Sequence, residues 1–270
     1  MPELPEVEIT RRGIEPYIND HKVKSVITRT QKLRWPIPRN IKQQLNHQTF
    51  ISTSRRAKYL LLQNPAGYLI IHLGMSGSLR ILEPGTPALK HDHVDIVFDT
   101  HILRFRDPRR FGALLWTQHD PLQHKLLKSL GPEPLSSDFT AEHLYRFSRN
   151  RKISIKEFIM NAHIVVGVGN IYATEALFIS KIHPTRAAGK ISLQRYQLLV
   201  DAIKKVLTQA IKSGGTTLKD FTREDGKPGY FKQELYVYGR AKLPCVSCSH
   251  PLKAIKQGQR TTTYCTQCQH

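Results

Sequence analysis

Gly131-Pro132-Glu133-Pro134-Leu135-Ser136-Ser137 is the stretch that divides this chain. Its glycine and two prolines oppose both helix and sheet, and the apolar pattern has a different period on either side. Upstream, residues 22–116 carry short apolar runs rich in β-branched and aromatic residues, punctuated by Pro36, Pro38, Pro65-Ala66-Gly67, Gly74, Gly77 and Pro84-Gly85. These predict short strands packed into a sandwich or barrel. Ahead of them, residues 6–18 fit one helix, which Pro5 suits at its first turn. Downstream, residues 140–150, 154–161, 171–182 and 193–212 carry apolar residues at helical spacing; Leu198, Leu199, Ala202, Ile203, Val206 and Leu207 form the best stripe. The expected fold class is multidomain α+β, with a β-sandwich and leading helix over 1–131, a helical domain over 132–234 and a small metal-held module over 235–270.

Lys and Arg number 41 against 21 Asp and Glu, a formal charge of +20 on 270 residues. With 40% hydrophobic residues the chain can bury a core, so disorder throughout is excluded. The basic excess favours a phosphate polymer as partner, bound less tightly as salt rises. A merely solvated basic surface or attraction to anionic lipid are the alternatives, and no basic amphipathic anchor supports the lipid version. The opening MPELPEVEIT is acidic and twice interrupted by proline, unlike a bacterial signal peptide. No apolar run approaches the roughly 20 residues of a membrane helix. A soluble protein with no membrane partner is expected, and the missing targeting segments suit a bacterial cytoplasm.

All four cysteines lie near the end. Cys245, Cys248, Cys265 and Cys268 read C-x2-C, sixteen residues, C-x2-C. Two such knuckles present paired thiolates to one tetrahedral zinc ion; a disulfide framework is the other reading of the four. Residues 252–255 and 261–264 fit two short strands of a β-hairpin joined through residues 256–260, with Arg260 at the tip. A four-thiolate site has no open coordination position, so this single zinc is structural. In the helical region, Gly167-Val168-Gly169-Asn170 precedes a helix. It is either a plain turn or a helix start that leaves backbone N–H groups free for an anion, with Asn170 as cap or phosphate donor.

Taken together, Pro2-Glu3-Leu4-Pro5-Glu6-Val7-Glu8, His72-Leu73-Gly74-Met75-Ser76-Gly77, Asp107-Pro108-Arg109-Arg110-Phe111-Gly112, Val166-Gly167-Val168-Gly169-Asn170-Ile171-Tyr172-Ala173 and the four-cysteine finger resemble the bacterial formamidopyrimidine-DNA glycosylase family. The resemblance spans nearly the whole chain, and five pieces in order are far more specific than any one. Ile9 departs from the threonine more usual in the family. The resemblance implies an N-terminal β-sandwich, a helix-two-turn-helix domain and a zinc finger, with duplex DNA in a cleft between the two large parts. It implies a monomeric, nucleoid-associated DNA glycosylase and lyase of base excision repair, acting on 8-oxoguanine and formamidopyrimidines.

The chemistry also reads from the residues. Initiator methionine is normally removed before proline, which would leave Pro2 with a free secondary amine. An N-terminal amine has a reference pKa of about 7.7–8.0, so part of it is neutral near pH 7 and nucleophilic. Glu3 beside it can move a proton. Glu6 either orients the site or caps the first helix turn. Lys58 shares strand parity with Leu60 and Leu62 if residues 57–63 form one strand. The resemblance makes Lys58 the acid of β-elimination and Arg260 its counterpart in δ-elimination. An arginine is a poor proton donor, so holding phosphate is the alternative role for Arg260.

A base inside the stack must be extruded and its vacancy filled. Met75 and Phe111, apolar side chains in loops, are either ordinary core or wedges into that gap, and Arg109 can hydrogen-bond the orphaned base. The resemblance further implies His91, Arg109, Arg151 and Asn170 as DNA contacts. A long loop over 216–230 could close over a flipped base. Two rivals stand against this reading. Endonuclease VIII shares the N-terminal proline, helical motif and finger but prefers oxidised pyrimidines. A non-catalytic zinc-ribbon binder explains charge and cysteines but gives the N-terminal pattern no role.

Overall fold

The structure, a computed structural model, describes residues 2–214 and 235–270. The expected closing loop over 216–230 lies outside the described residues. The chain forms two compact units, the first built on Met1–Lys128 and the second on Ser129–Lys212 with Lys232–His270.

In the first unit, helix α1 (Leu4–Ile18) starts two residues before the apolar pattern predicts, with Pro5 in its opening turn. Its start is set by the Glu6 carboxylate, which accepts the Glu3 backbone N–H at 2.7 Å and satisfies one of the donors orphaned at a helix N-terminus. Leu4, Val7, Ile14 and Ile18 recur at helical spacing and are fully buried. The strands then form two antiparallel four-stranded sheets. One orders β1 (Ser25–Thr28), β6 (Asp92–Val97), β7 (Ile102–Arg106) and β5 (Ser78–Leu82); the other orders β2 (Ser52–Arg56), β3 (Tyr59–Asn64), β4 (Gly67–His72) and β8 (Ala113–Thr117). Leu79, Ile81, Val94, Ile96, Leu103 and Phe105 of the first share one core with Leu60, Leu62, Leu69, Ile71 and Leu114 of the second. This is a sandwich with period-2 inner rows rather than a barrel. A short helix α2 (Ile41–Leu45), which periodicity did not mark, adds Ile41 and Leu45 to that core.

The second unit contains α3 (Ala141–Ser148), α4 (Ile155–Ile159), α5 (Asn170–Ile179) and α6 (Leu193–Gly214). Thr140 and Ser154 cap α3 and α4 by accepting the N–H groups of His143 and Glu157. The backbone between α4 and α5 runs through successive turns, the helix-two-turn-helix element. Leu199, Ala202, Ile203, Val206 and Leu207 line the core as the stripe predicts, but Leu198 is 57% exposed, off that face by one residue.

The finger pairs β9 (Lys253–Gln257) with β10 (Arg260–Tyr264). Gly258 and Gln259 have φ of +48° and +62°, the two left-handed residues of a tight hairpin turn. Arg260 is therefore the first residue of β10, opposite Gln257, and not part of the tip itself. The chain entering the finger is held by Glu175, whose carboxylate accepts the N–H groups of Tyr236, Val237 and Tyr238 at 2.7, 3.0 and 2.8 Å.

Candidate active site and nucleic-acid interface

At the N-terminal end, Glu3 is only 1% exposed and Pro2 partly exposed. Glu6 is the third helical residue of a capping box whose N-cap is Glu3, and its bond to the Glu3 N–H fixes the backbone next to Pro2. One turn on, the Glu8 carboxylate accepts from Arg12 Nε at 2.9 Å, Arg55 Nε at 3.0 Å and Arg11 Nη2 at 3.2 Å. Burial opposes its charge, but these three guanidinium groups prevail and hold its pKa below the ordinary carboxylate value. Arg55 also donates to the Ala57 carbonyl at 2.8 Å. Glu8 thus ties α1 to the turn between β2 and β3.

That turn corrects the reading of Lys58. Ala57 has φ +55°, and Ala57-Lys58 form the two-residue turn of the hairpin, so the strand begins at Tyr59. A left-handed alanine carries no glycine signal, which is why the alternation ran on through it. The positive charge of Lys58 is felt at His72. Burial first, then Lys58 and Arg34, push the His72 pKa down to about 4. Neutral His72 accepts the Gly74 N–H on Nδ1 at 3.1 Å and so supports the turn that carries Met75.

Met75 and Phe111 are 40% and 43% exposed, which removes the core-packing reading for both. The Arg109 guanidinium lies 4.8 Å from the Phe111 ring centroid. These exposed groups are held from below by Asp107, a fully buried residue that sequence reasoning quoted but gave no role. Its Oδ1 accepts from Ser76 Oγ at 2.6 Å and Arg109 N–H at 3.2 Å, and its Oδ2 from Gly112 N–H at 2.7 Å. Its Asp-Pro opening is the ordinary start of a turn, and nothing local predicts the bond to Ser76. His91, left-handed at φ +77°, accepts the Asp107 N–H on its carbonyl at 3.1 Å. Desolvation, with Lys90, Arg106, His93 and Arg110, lowers the His91 pKa.

In the second unit, Gly169 is the N-cap of α5 and Asn170 its first residue, so Asn170 is not the cap. The Asn170 side chain instead joins α5 to the finger: Oδ1 accepts from Lys156 Nζ at 2.5 Å, and Nδ2 donates to the Thr261 carbonyl at 3.2 Å. Lys156 is 1% exposed and also donates to Thr262 Oγ1 at 2.6 Å. It was missed because its partners lie 14 and 106 residues away, although a lysine in so short an apolar helix was a signal. A cavity of about 200 Å³ is lined by Lys156, Glu157, Met160 and Asn161 with Gln257, Gly258 and Arg260 of the finger. Arg260 is exposed there. Arg151 differs: its Nε donates to the Phe147 carbonyl at 2.7 Å, closing the end of α3. Among the described residues no hydrogen bond joins Arg151 to Asn170 or Arg260.

The four cysteine sulfurs lie within 4.8 Å of one another. Cys245 and Cys268 are 3.9 Å apart and Cys248 and Cys265 3.5 Å apart, spacings of a tetrahedron with Zn–S near 2.3 Å and too long for disulfides. The Ser247 N–H donates to Cys245 Sγ at 3.4 Å, as a metal knuckle requires. The thiolates hold one structural zinc.

Comparison with known proteins agrees across all three parts. The formamidopyrimidine-DNA glycosylase N-terminal domain matches residues 1–114, the formamidopyrimidine-DNA glycosylase H2TH domain residues 130–222, and the zinc finger found in FPG and IleRS residues 242–270. Formamidopyrimidine-DNA glycosylases of Syntrophotalea carbinolica and Photobacterium profundum are 56% and 57% identical over 270 residues, with 100% of each chain covered. A mutant Lactococcus lactis FPG in complex with Fapy-dG-containing DNA has a TM-score of 0.89 at 32% identity, with 100% of both chains covered. Wild-type Lactococcus lactis Fpg in complex with oxidised-pyrimidine-containing DNA gives 0.89 at 33%, again over 100% of both. No described helix is long and apolar enough to cross a membrane. The chain belongs to the formamidopyrimidine-DNA glycosylase family.

Proposed function

We propose that this protein removes oxidised purines, 8-oxoguanine and formamidopyrimidines, from duplex DNA and then cleaves the strand as an apurinic/apyrimidinic lyase. It acts as a monomer in the bacterial cytoplasm, on the nucleoid. The observation that carries this reading is the bracing of the N-terminal residues: buried Glu3, fixed through Glu6, on a helix that Glu8 and Arg55 tie to the Lys58 turn.

The Pro2 nitrogen, freed by removal of Met1, attacks C1′ of the damaged nucleotide. The N-glycosidic bond breaks and the base leaves with its electron pair and a proton. Glu3 manages that proton transfer at the sugar. Ring opening gives an iminium between Pro2 and C1′, which acidifies C2′. Loss of a C2′ proton expels the 3′ phosphate, and a second elimination expels the 5′ phosphate. Lys58 is the proton-handling group of the first elimination. Arg260, exposed beside a cavity that Lys156 also lines, holds phosphate in the second.

Met75, Arg109 and Phe111 occupy the vacancy left by the extruded nucleotide, and His91, Arg151 and Asn170 contact DNA. Zinc, held by Cys245, Cys248, Cys265 and Cys268, shapes the finger and takes no part in the chemistry. A second reading, oxidised pyrimidines as additional substrates, is favoured by the relative solved with oxidised-pyrimidine DNA. Matched duplexes bearing 8-oxoguanine opposite cytosine or thymine glycol opposite adenine decide between them. Faster incision of the 8-oxoguanine strand is expected, and preference for thymine glycol would overturn the purine assignment.

A further inference from the structure

We propose that Asp107 is a positioning residue that makes the Met75 turn and the Arg109–Phe111 loop act as one wedge. This rests on the reading of those side chains as the groups that fill the vacated base position. The two loops have different origins. The Met75 turn links β4 to β5, crossing from one sheet to the other, whereas residues 107–112 link β7 to β8 and cross back. Their exposed apolar tips have no core to hold them.

What joins the loops is one carboxylate. Oδ1 takes the Ser76 hydroxyl of the first loop and the Arg109 N–H of the second, while Oδ2 takes the Gly112 N–H that ends the second. Ser76 Oγ in turn accepts the Arg109 N–H at 3.2 Å. The backbones also touch, since a Cβ on Gly74 would stand 2.4 Å from the Phe111 carbonyl carbon. Asp107 is 0% exposed, and among the described residues no cation pairs with it within 4 Å. A charge so buried is tolerated only when its lone pairs are filled, and here the donors that fill them come from both loops. An amide in its place keeps one acceptor oxygen and loses the second.

Stiffness matters at this point because unstacking a base costs free energy, and a wedge that yields cannot supply it. Loosening Asp107 should therefore slow base extrusion more than the steps that follow.

The test uses the full-length zinc-loaded protein in single turnover. Asp107→Asn and Ser76→Ala are compared on a duplex with 8-oxoguanine opposite cytosine and on one with a preformed abasic site, with 2-aminopurine beside the lesion to read unstacking. Asp107→Asn should slow excision of the paired base at least tenfold more than cleavage at the abasic site, with the fluorescence rise slowed in step. Ser76→Ala should move the same ratio about threefold, and it decides the matter alone if Asp107→Asn does not fold. Equal slowing on both substrates, or none on either, would overturn the proposal. Failure of the unaltered protein to cleave the abasic site would instead overturn the proposed lyase function.

Discussion

The two units hold their candidate DNA groups by opposite means. In the sandwich unit, buried acids do the holding: Glu8 gathers Arg11, Arg12 and Arg55 on the N-terminal helix, Asp107 ties the Met75 turn to the Arg109–Phe111 loop, and Asp95 binds Arg104 and Arg29 at 2.8 and 2.6 Å. In the helical and finger unit, Glu175 holds the entering chain, but Asn170 and the strand of Arg260 are aligned by a buried ammonium, Lys156, and by four thiolates around zinc. The acids that organise cations and loops lie beneath the surface, while others such as Asp99, Asp120, Glu142 and Asp201 are exposed. Under the proposed function the difference is a division of labour, with chemistry and base extrusion in the first unit and grip on the DNA backbone chiefly in the second.

The sharpest way to break that division is Glu3→Gln. Loss of a general acid–base group should slow excision 100–10,000-fold, roughly the range for such groups, while DNA affinity stays within about twofold. Equal losses in rate and affinity, measured by single turnover and by equilibrium binding, would mean the units are not separable.

Acid should weaken the sandwich unit first. His72 is neutral in the folded state, with its pKa near 4 against an ordinary 6.5, so the unfolded chain takes up a proton that the folded chain refuses. Its stabilisation is complete above pH 6.5 and is lost as pH falls toward 4, by about 3 kcal/mol at most. Glu8 and Asp95, with lowered pKa values, add their own losses only below the ordinary carboxylate range. Thermal melts of His72→Gln against the unaltered protein should show a shallower decline between pH 6.5 and 4.5; identical slopes would refute the assignment.

The finger should respond to metal instead. Cys248→Ser should weaken DNA binding tenfold or more and lower nicking at limiting protein, through loss of folding energy that zinc supplies. Undiminished nicking in a zinc-depleted sample of that variant would contradict a structural role. The smallest effect expected is from Lys156→Met, which leaves Asn170 Oδ1 and Thr262 Oγ1 without their donor and should destabilise the second unit by about 1–3 kcal/mol. A melt unchanged by the substitution would remove Lys156 from the alignment.

What could be read from the sequence follows the range over which each signal acts. Strand and helix periods and the cysteine spacing are local, and antiparallel sheets, a helical region and a C-terminal hairpin with its four cysteines are what those patterns predict. The Lys58 turn was hidden because Ala57 adopts a conformation usually advertised by glycine or asparagine. Arg260 was placed at the tip because the spacing between apolar runs overstated the turn. Glu8, Asp107 and Lys156 show no role in any window of sequence because the partners that give them one, Arg55, Ser76 and Thr262, lie 47, 31 and 106 residues away.

In the proposed reaction the Pro2 nitrogen bonds to C1′ of the damaged nucleotide. Hydride reduction during turnover on an 8-oxoguanine duplex, followed by mass mapping of the cross-linked peptide, tests it most directly. A covalent complex is expected on the N-terminal peptide of protein that begins at Pro2, and none from a preparation that retains Met1. Trapping of equal yield in the Met1-retaining protein, or a cross-link mapped to Lys58, would contradict it.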